Sequence, residues 1–194
     1  MNRIAAEFVA SATALDNCPR WNRTEIAIVG RSNVGKSSLL NALTARPGLA
    51  RTSRTPGRTQ ALNFFTMSES LALVDLPGFG YAKMPHALAE KIAIMMREYL
   101  RQRANLAGVV LLVDSRRGPE REEIDLAAAT RARGLALLVA ATKCDKLKRS
   151  ERADAIAKMK ALEAEPILCS AVTGENIDVL RRRIFVVPAR SGRG

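Results

Sequence analysis

Histidine is nearly missing from this sequence: His86 is the single one, which leaves no material for a His-rich metal site. Cysteine is scarce too. Cys18, Cys144 and Cys169 lie far apart, with neither a CxxC pair nor metal-ligand spacing, and they read as free thiols of a protein kept in a reducing compartment. No apolar run approaches the roughly 20 residues that cross a bilayer. Residues 1–18 carry Glu7 and Asp16 where a secretory signal would hold an unbroken apolar stretch. A cytoplasmic location without a membrane partner is therefore expected. Internal repeats are absent, and low complexity is confined to a basic tail at 190–194. Acidic side chains are in deficit: 19 against 31 Lys and Arg, for a net charge of +12 and a pI near 10.5. Such an excess favours polyanions through counterion release. Nucleic acid leads the candidates and an anionic membrane surface follows, beside the plain alternative of a small protein that is simply basic.

Apolar residues make up 47% and charged ones 26% of the chain, an ordinary globular balance, and 194 residues fill one α/β domain. Short apolar runs alternate with helical spacing. The runs predict strands at 25–29, 62–67, 71–75, 109–113, 135–141 and 166–169, and helices at 36–43, 87–103, 120–133, 150–162 and 175–184. Near-continuous apolar strands separated by helices imply a mostly parallel sheet covered on both faces. The runs at 62–67 and 71–75, joined by Ser68-Glu69-Ser70, predict an antiparallel pair. The expected fold is α/β and three-layered, with a mostly parallel six-stranded sheet, one antiparallel strand and helices on both faces. Residues 45–61, rich in Gly, Pro, Ser, Thr and Arg, read as a long mobile loop of the kind that is functional or disordered.

Gly30-Arg31-Ser32-Asn33-Val34-Gly35-Lys36-Ser37 matches GxxxxGK[ST] between a strand and a helix, with Ser38 next in the helix. The glycines let backbone N–H groups turn inward around a phosphate, and the helix N-terminus adds its positive dipole end. In such a loop Lys36 reaches the β- and γ-phosphate oxygens and the Ser37 hydroxyl ligates Mg²⁺. Asp75-Leu76-Pro77-Gly78 follows an apolar strand, where Asp75 can hold Mg²⁺ through a water and the Gly78 N–H can contact the γ-phosphate. Thr142-Lys143-Cys144-Asp145 closes another strand. A carboxylate at Asp145 can accept from both N1–H and the 2-amino group of guanine, donors that adenine does not offer in that arrangement. Lys143 can lay its alkyl stem over the base, and backbone N–H groups of Ser170, Ala171 and Val172 can reach guanine O6. The Mg²⁺-sensing threonine must come from the loop before Asp75, where Thr52, Thr55 and Thr59 all qualify.

Taken together, GRSNVGKSS, TPGRTQ, DLPGFGYAK, TKCD and CSA make the sequence similar to the EngB family (also called YihA or YsxC) of bacterial ribosome-assembly GTPases. That family lies within the TrmE-Era-EngA-EngB-Septin-like group, and the likeness runs from residue 8 to residue 184. The resemblance implies a P-loop NTPase of the Ras-like G-domain type at 24–186, an N-terminal extension at 1–23 packed on it, and a disordered basic tail at 187–194. It implies binding of GTP and GDP, with Mg²⁺ held by Ser37, Asp75 and the Thr of GxTQ, which is Thr59, beside Gly57, Arg58 and Gln60. Catalytic work would fall to Lys36, Thr59, Gly78 and Asn33. The first switch would span roughly residues 45–61 and the second roughly 76–100. TKxD is this family's usual base motif, so Thr142 is ordinary for it. The implied role is assembly of the large ribosomal subunit, with that subunit or its precursor as partner, in support of growth, division and septation. A monomer is expected.

Switch GTPases often place a water-orienting Gln just after the DxxG glycine. Here that position is Phe79, which implies slow intrinsic hydrolysis. In related GTPases with GxxNxGKS the Asn helps hold a K⁺ beside the phosphates; Asn33 offers that role, or merely caps the loop. Arg51, Arg54 and Arg58 offer a finger in cis, an RNA contact or a solvated face, and Arg181 to Arg183 form a second basic cluster expected to bind a polyanion in every nucleotide state. The terminus RRRIFVVPARSGRG departs from the aromatic and acidic amphipathic helix on which members of the family finish. Two other classes stay open. A P-loop small-molecule kinase is opposed by TKCD and by the lack of an acceptor or lid segment. A GTP-sensing module without hydrolysis would be excluded by single-turnover γ-phosphate release.

Overall fold

The central strand β2 (Thr24–Gly30) is buried from Glu25 to its end. Successive side chains of a strand point to opposite faces. Ile26 and Ile28 join Leu39 and Leu43 of α1 (Lys36–Thr44) and Leu180 and Ile184 of α5 (Ile177–Phe185) in one core. Ala27 and Val29 join Ile92, Met96 and Tyr99 of α2 (His86–Gln102) in another. Strand β5 (Leu106–Asp114) divides likewise. Val110 and Leu112 face the α1–α5 side, while Leu111 and Val113 pack with Ala127 of α3 (Arg121–Ala132) and with Met159, just beyond α4 (Arg152–Lys158). Burial on both faces is why these strands read as apolar runs rather than alternations. The computed structural model describes residues 6–50, 60–80 and 85–189.

The remaining strands are β1 (Glu7–Ala12), β3 (Leu62–Thr66), β4 (Leu71–Asp75), β6 (Ala136–Thr142) and β7 (Pro166–Leu168), and the sheet order is β1-β3-β4-β2-β5-β6-β7. β4, β2, β5, β6 and β7 are parallel, and β3 runs against both of its neighbours. The expected three-layer α/β class is the one observed. One correction concerns the count: beside the six expected strands stands a seventh, β1, with Glu7 opposite Thr66 and Ala12 opposite Leu62. Its local signal is faint because Phe8 and Val9 remain 52% and 43% exposed and the pairing is irregular between Phe8 and Ala10. An edge strand of this kind takes its structure from the partner's ladder more than from an apolar face of its own. The helix expected at 150–162 is divided into α4 between two 3-10 turns, Arg149–Glu151 and Met159–Leu162.

Two polar locks hold the frame of the site. Glu25, fully buried, accepts hydrogen bonds from Trp21 Nε1 at 2.7 Å, Tyr99 Oη at 2.8 Å and Arg103 Nε at 2.9 Å, fastening the start of β2 to the end of α2. At the far end of α1, Arg181 of α5 donates to the carbonyls of Leu43 at 2.8 Å and Ala42 at 2.9 Å, which satisfies acceptors a helix terminus leaves open. This removes one member from the basic cluster expected at 181–183. Arg181 is used internally, Arg182 pairs with Asp178 at 3.1 Å and Arg183 faces Glu165 at 4.0 Å.

Candidate functional site

The loops after β2, β4, β5, β6 and β7 leave the sheet at the carboxyl ends of its parallel strands, where open α/β sheets hold their ligands. The loop after β2 is shaped by its glycines. A Cβ on Gly30 would lie 2.9 Å from both the Leu112 carbonyl oxygen and Val34 Cγ1, so only glycine lets the chain turn this close to β5. Gly35 has φ 102° and precedes the first residue of α1, Lys36, with Ser37 and Ser38 in the first turn. Asn33 takes φ 63°. This is a concave run of backbone at a helix N-terminus, suited to an anion.

The segment after β4 runs alongside that loop. Leu76 N–H donates to Ile28 O at 3.1 Å, Phe79 N–H to Gly30 O at 3.4 Å and Ser32 N–H to Phe79 O at 3.0 Å, with Arg31 and Phe79 forming a parallel bridge. These bonds carry Asp75-Leu76-Pro77-Gly78 past the phosphate cradle. Lys36 Nζ donates to Asp75 Oδ1, and both residues are buried, at 9% and 3% exposure. Arg31 turns outward instead, to Glu120 and Glu122. Gln60 lines, with Ala61, Asn63 and Asp75, a cleft of about 450 Å³ beside the end of β4. Gly57, Arg58 and Thr59 lie outside the described residues, as do the arginines at 51 and 54.

The base motif is assembled from two loops. Thr142 Oγ1 donates to Val34 O at 2.8 Å, and Lys143, with φ 61°, reaches back so that its Nζ donates to Asn33 O at 2.7 Å and to Asp114 Oδ2 at 3.0 Å. Its stem passes Gly35, whose Cβ would lie 4.0 Å from Lys143 Cε. The β6 loop is thereby tied to the phosphate loop. Although burial opposes ionisation, hydrogen bonds from Arg116 and Lys143 hold the Asp114 carboxyl well below the usual carboxylate range. Asp145 accepts from Ser170 Oγ at 2.7 Å, the main reason its carboxyl too sits below the ordinary value.

Ser170 is buried, and its oxygen also accepts the N–H groups of Val172 and Thr173 at 3.2 Å each. Among the N–H groups from Ser170 to Glu175, that of Ala171 is the one without a hydrogen bond, so it is the donor this loop can offer a ligand. Val172 itself is 82% exposed. Cys144 N–H donates to Cys169 O at 3.3 Å and its Sγ to Glu175 Oε2 at 3.4 Å, while Arg152 forks the same carboxylate. Burial pushes the thiols of Cys144 and Cys169 up to about 11 and about 12, so both stay protonated. Of the three N–H groups expected to face a ligand, those of Ser170 and Val172 are bonded within the loop, to Glu175 O at 3.1 Å and Ser170 Oγ at 3.2 Å, and sequence reasoning did not foresee the Ser170 hydroxyl, Asp114, Arg152 or Glu175. A serine or an arginine in a loop carries no sign of which distant group it will meet.

Oxygen donors at Ser37 and Asp75 suit a hard cation such as Mg²⁺. Among the described residues no group of three or more His, Cys, Asp and Glu is placed to hold a metal, so a divalent ion here would lean on hydroxyl and phosphate oxygens. No helix among the described residues is long and apolar enough to cross a membrane.

A glycine-lined cradle at a helix N-terminus, an acidic strand end beside it and a hydrogen-bonded carboxylate on the adjoining loop are the features of a P-loop guanine-nucleotide-binding domain of the GTPase class. Residues 25–143 match the family described as 50S ribosome-binding GTPase. A probable GTP-binding protein EngB from Citrifermentans bemidjiense is 47% identical over 182 residues, covering 92% of this chain and 85% of its own. One from Anaeromyxobacter sp. is 45% identical over 210 residues, covering 98% and 97%. A crystal structure of a probable GTP-binding protein engB superposes with a TM-score of 0.67 at 28% identity, over 84% of this chain and 97% of that one. Era in complex with MgGDPNP and nucleotides 1506–1542 of 16S ribosomal RNA shares the fold, with a TM-score of 0.67 at 21% identity, over 90% of this chain and 59% of that one. The chain belongs to the EngB family of GTP-binding proteins.

Proposed function

We propose that this chain is a slow GTPase switch that acts as a monomer in the cytoplasm during assembly of the large ribosomal subunit, and that growth, division and septation depend on it. The observation that carries the nucleotide assignment is the Asp145 carboxylate, fastened by Ser170 Oγ at 2.7 Å beside the available Ala171 N–H. Together they present an acceptor for N1–H and the 2-amino group and a donor for O6, which is guanine's pattern and not adenine's. Lys36 lies at the cradle to meet the β- and γ-phosphates, and the Gly78 N–H is assigned to the γ-phosphate. Ser37, Asp75 and Thr59 are the proposed Mg²⁺ residues. When bound, the ion offsets charge on the β- and γ-phosphates.

Slow hydrolysis is supported by Phe79. Its side chain packs against the α2 core and carries no group that orients water. A K⁺ held by the Asn33 side chain would supply positive charge at the phosphates instead. Exchange of Na⁺ for K⁺ should then raise single-turnover hydrolysis in the parent and leave Asn33→Ala unchanged; equal rates in the two salts remove the K⁺ proposal.

The ribosomal role is supported by the family match and by the charge of +12. A switch ordered around the γ-phosphate would present Arg51, Arg54 and Arg58 differently in the two states. Co-sedimentation with large ribosomal subunits should be tighter with a non-hydrolysable GTP analogue than with GDP, and alanine at the three arginines should erase the difference. Binding indifferent to the nucleotide in the parent contradicts the switch and leaves the GTP site standing.

A further inference from the structure

With Arg181 capping α1, a further cationic surface lies beside the base motif. Three segments converge beside the base motif: the loop after β5, the loop after β6, and α4. Arg116, Lys146 and Lys158, with Leu147 between, line a cleft of about 410 Å³. Lys158 lays its stem over Gly118, where an added Cβ would meet Lys158 Cβ at 3.1 Å, so α4 is pressed against the loop that carries Arg116 and Arg117. Lys148 and Arg149 continue the surface along the second loop. Two of these cations are answered locally, Arg116 by Asp114 at 2.7 Å and Lys146 by Asp145 at 3.5 Å. Arg117, Lys148, Arg149 and Lys158 are exposed and have no ion-pair partner among the described residues. Glu151 and Asp154 also line the cleft, and Glu151 spends one oxygen on the Lys148 N–H at 2.7 Å. Ser115, also lining the cleft, is fully buried, and its hydroxyl is the one buried side-chain oxygen or nitrogen without a hydrogen bond among the described residues. Such groups are rare in folded proteins, where a buried polar atom normally has a partner.

We propose that this surface, Arg117, Lys148, Arg149 and Lys158 around the Ser115 cleft, docks the ribose-phosphate backbone of RNA. Cations spaced along two loops and a helix meet successive phosphates without reading bases, which gives position rather than sequence specificity. The inference rests on the ribosomal reading above for the identity of the RNA, since the family is a ribosome-binding one. Neither loop belongs to the segments expected to follow the γ-phosphate. This contact therefore acts in every nucleotide state, unlike the arginines at 51, 54 and 58.

The test compares the parent, the variant Arg117→Ala/Lys148→Ala/Arg149→Ala/Lys158→Ala, and a charge-matched control with Arg20, Arg101, Arg121 and Lys160 changed to alanine, exposed positions outside the surface and outside both expected switches. Each is titrated with large ribosomal subunits, with a fragment of large-subunit rRNA and with phosphatidylserine vesicles over a range of salt, with GDP or a non-hydrolysable GTP analogue bound. The log–log salt slope on rRNA should fall by about 0.7 to 0.9 per lost phosphate contact in the variant, equally with either nucleotide, while the control keeps the parent's slope. Affinity for a fluorescent GDP should be the same in all three, which shows the fold and the site intact. A variant slope equal to the parent's overturns this surface and leaves the ribosomal reading standing. A control that loses as much as the variant also overturns it, because total charge would then explain the binding. A parent that binds neither subunits nor rRNA removes the ribosomal reading and this inference together. Loss confined to vesicles assigns the surface to a membrane and overturns the RNA assignment.

Discussion

Asp145 is the residue on which the guanine assignment turns. Its carboxylate is 11% exposed and takes a hydrogen bond from Ser170, so its remaining lone pairs are directed rather than free to rotate. Asp145→Asn replaces a charge-assisted acceptor with an amide that presents donors where guanine also presents donors. GTP binding should weaken by about 2 kcal/mol or more. Xanthosine triphosphate should gain, because its 2-oxo group can accept from the new amide. Competition titrations against a fluorescent guanine nucleotide give both affinities, and GTP binding as tight as the parent's contradicts the assignment.

Helix α1 depends at its C-terminus on a residue far along the chain. Ala45 turns left-handed at φ 53°, and the guanidinium of Arg181 takes the carbonyls of Ala42 and Leu43. Arg181→Ala leaves the Leu43 carbonyl to water and the Ala42 carbonyl with the Ala45 N–H alone, and it unties α5 from α1. We expect a loss of about 1–2 kcal/mol in urea unfolding, since bonds from a charged donor are worth more than neutral ones. Arg181→Lys should recover little of it, because an ammonium lacks the planar fork that spans two carbonyls. The rRNA salt slope should stay at the parent's value, and a fallen slope would return Arg181 to the docking surface.

For the molecule as a whole, Asp114 is a junction: it answers Lys143 from the base loop and Arg116 from the cationic surface, and Lys143 in turn holds the phosphate loop. Its folded-state pKa lies below the ordinary value near 3.9, so the stability it contributes is fully present above about pH 4 and is lost as pH falls through the folded pKa. Asp114→Asn should therefore melt below the parent at pH 7 and pH 5, with the gap narrowing from about pH 4 downward. Thermal unfolding across that range measures it. A gap that is constant down to pH 2.5 means that packing, not charge, accounts for the loss.

The phosphate loop, DLPG and TKCD were legible in the sequence because the chemistry of a phosphate or a base edge demands neighbouring residues in a set order. The layering was legible because β2 and β5 lie buried on both faces and so must be apolar throughout. Ser170 on Asp145, Arg152 on Glu175, Arg181 on α1 and the pairing of β1 with β3 were not. Each joins residues well separated in the chain, and nothing in the local pattern of either partner names the other. The sheet order β1-β3-β4-β2-β5-β6-β7 decides which loops meet at the carboxyl ends of the strands, and only then do their side chains acquire partners. What this chain binds was thus written by short-range order, whereas how firmly the Asp145 carboxylate is held, and which arginines remain for a partner, followed from distant segments packed to leave few polar groups unpaired.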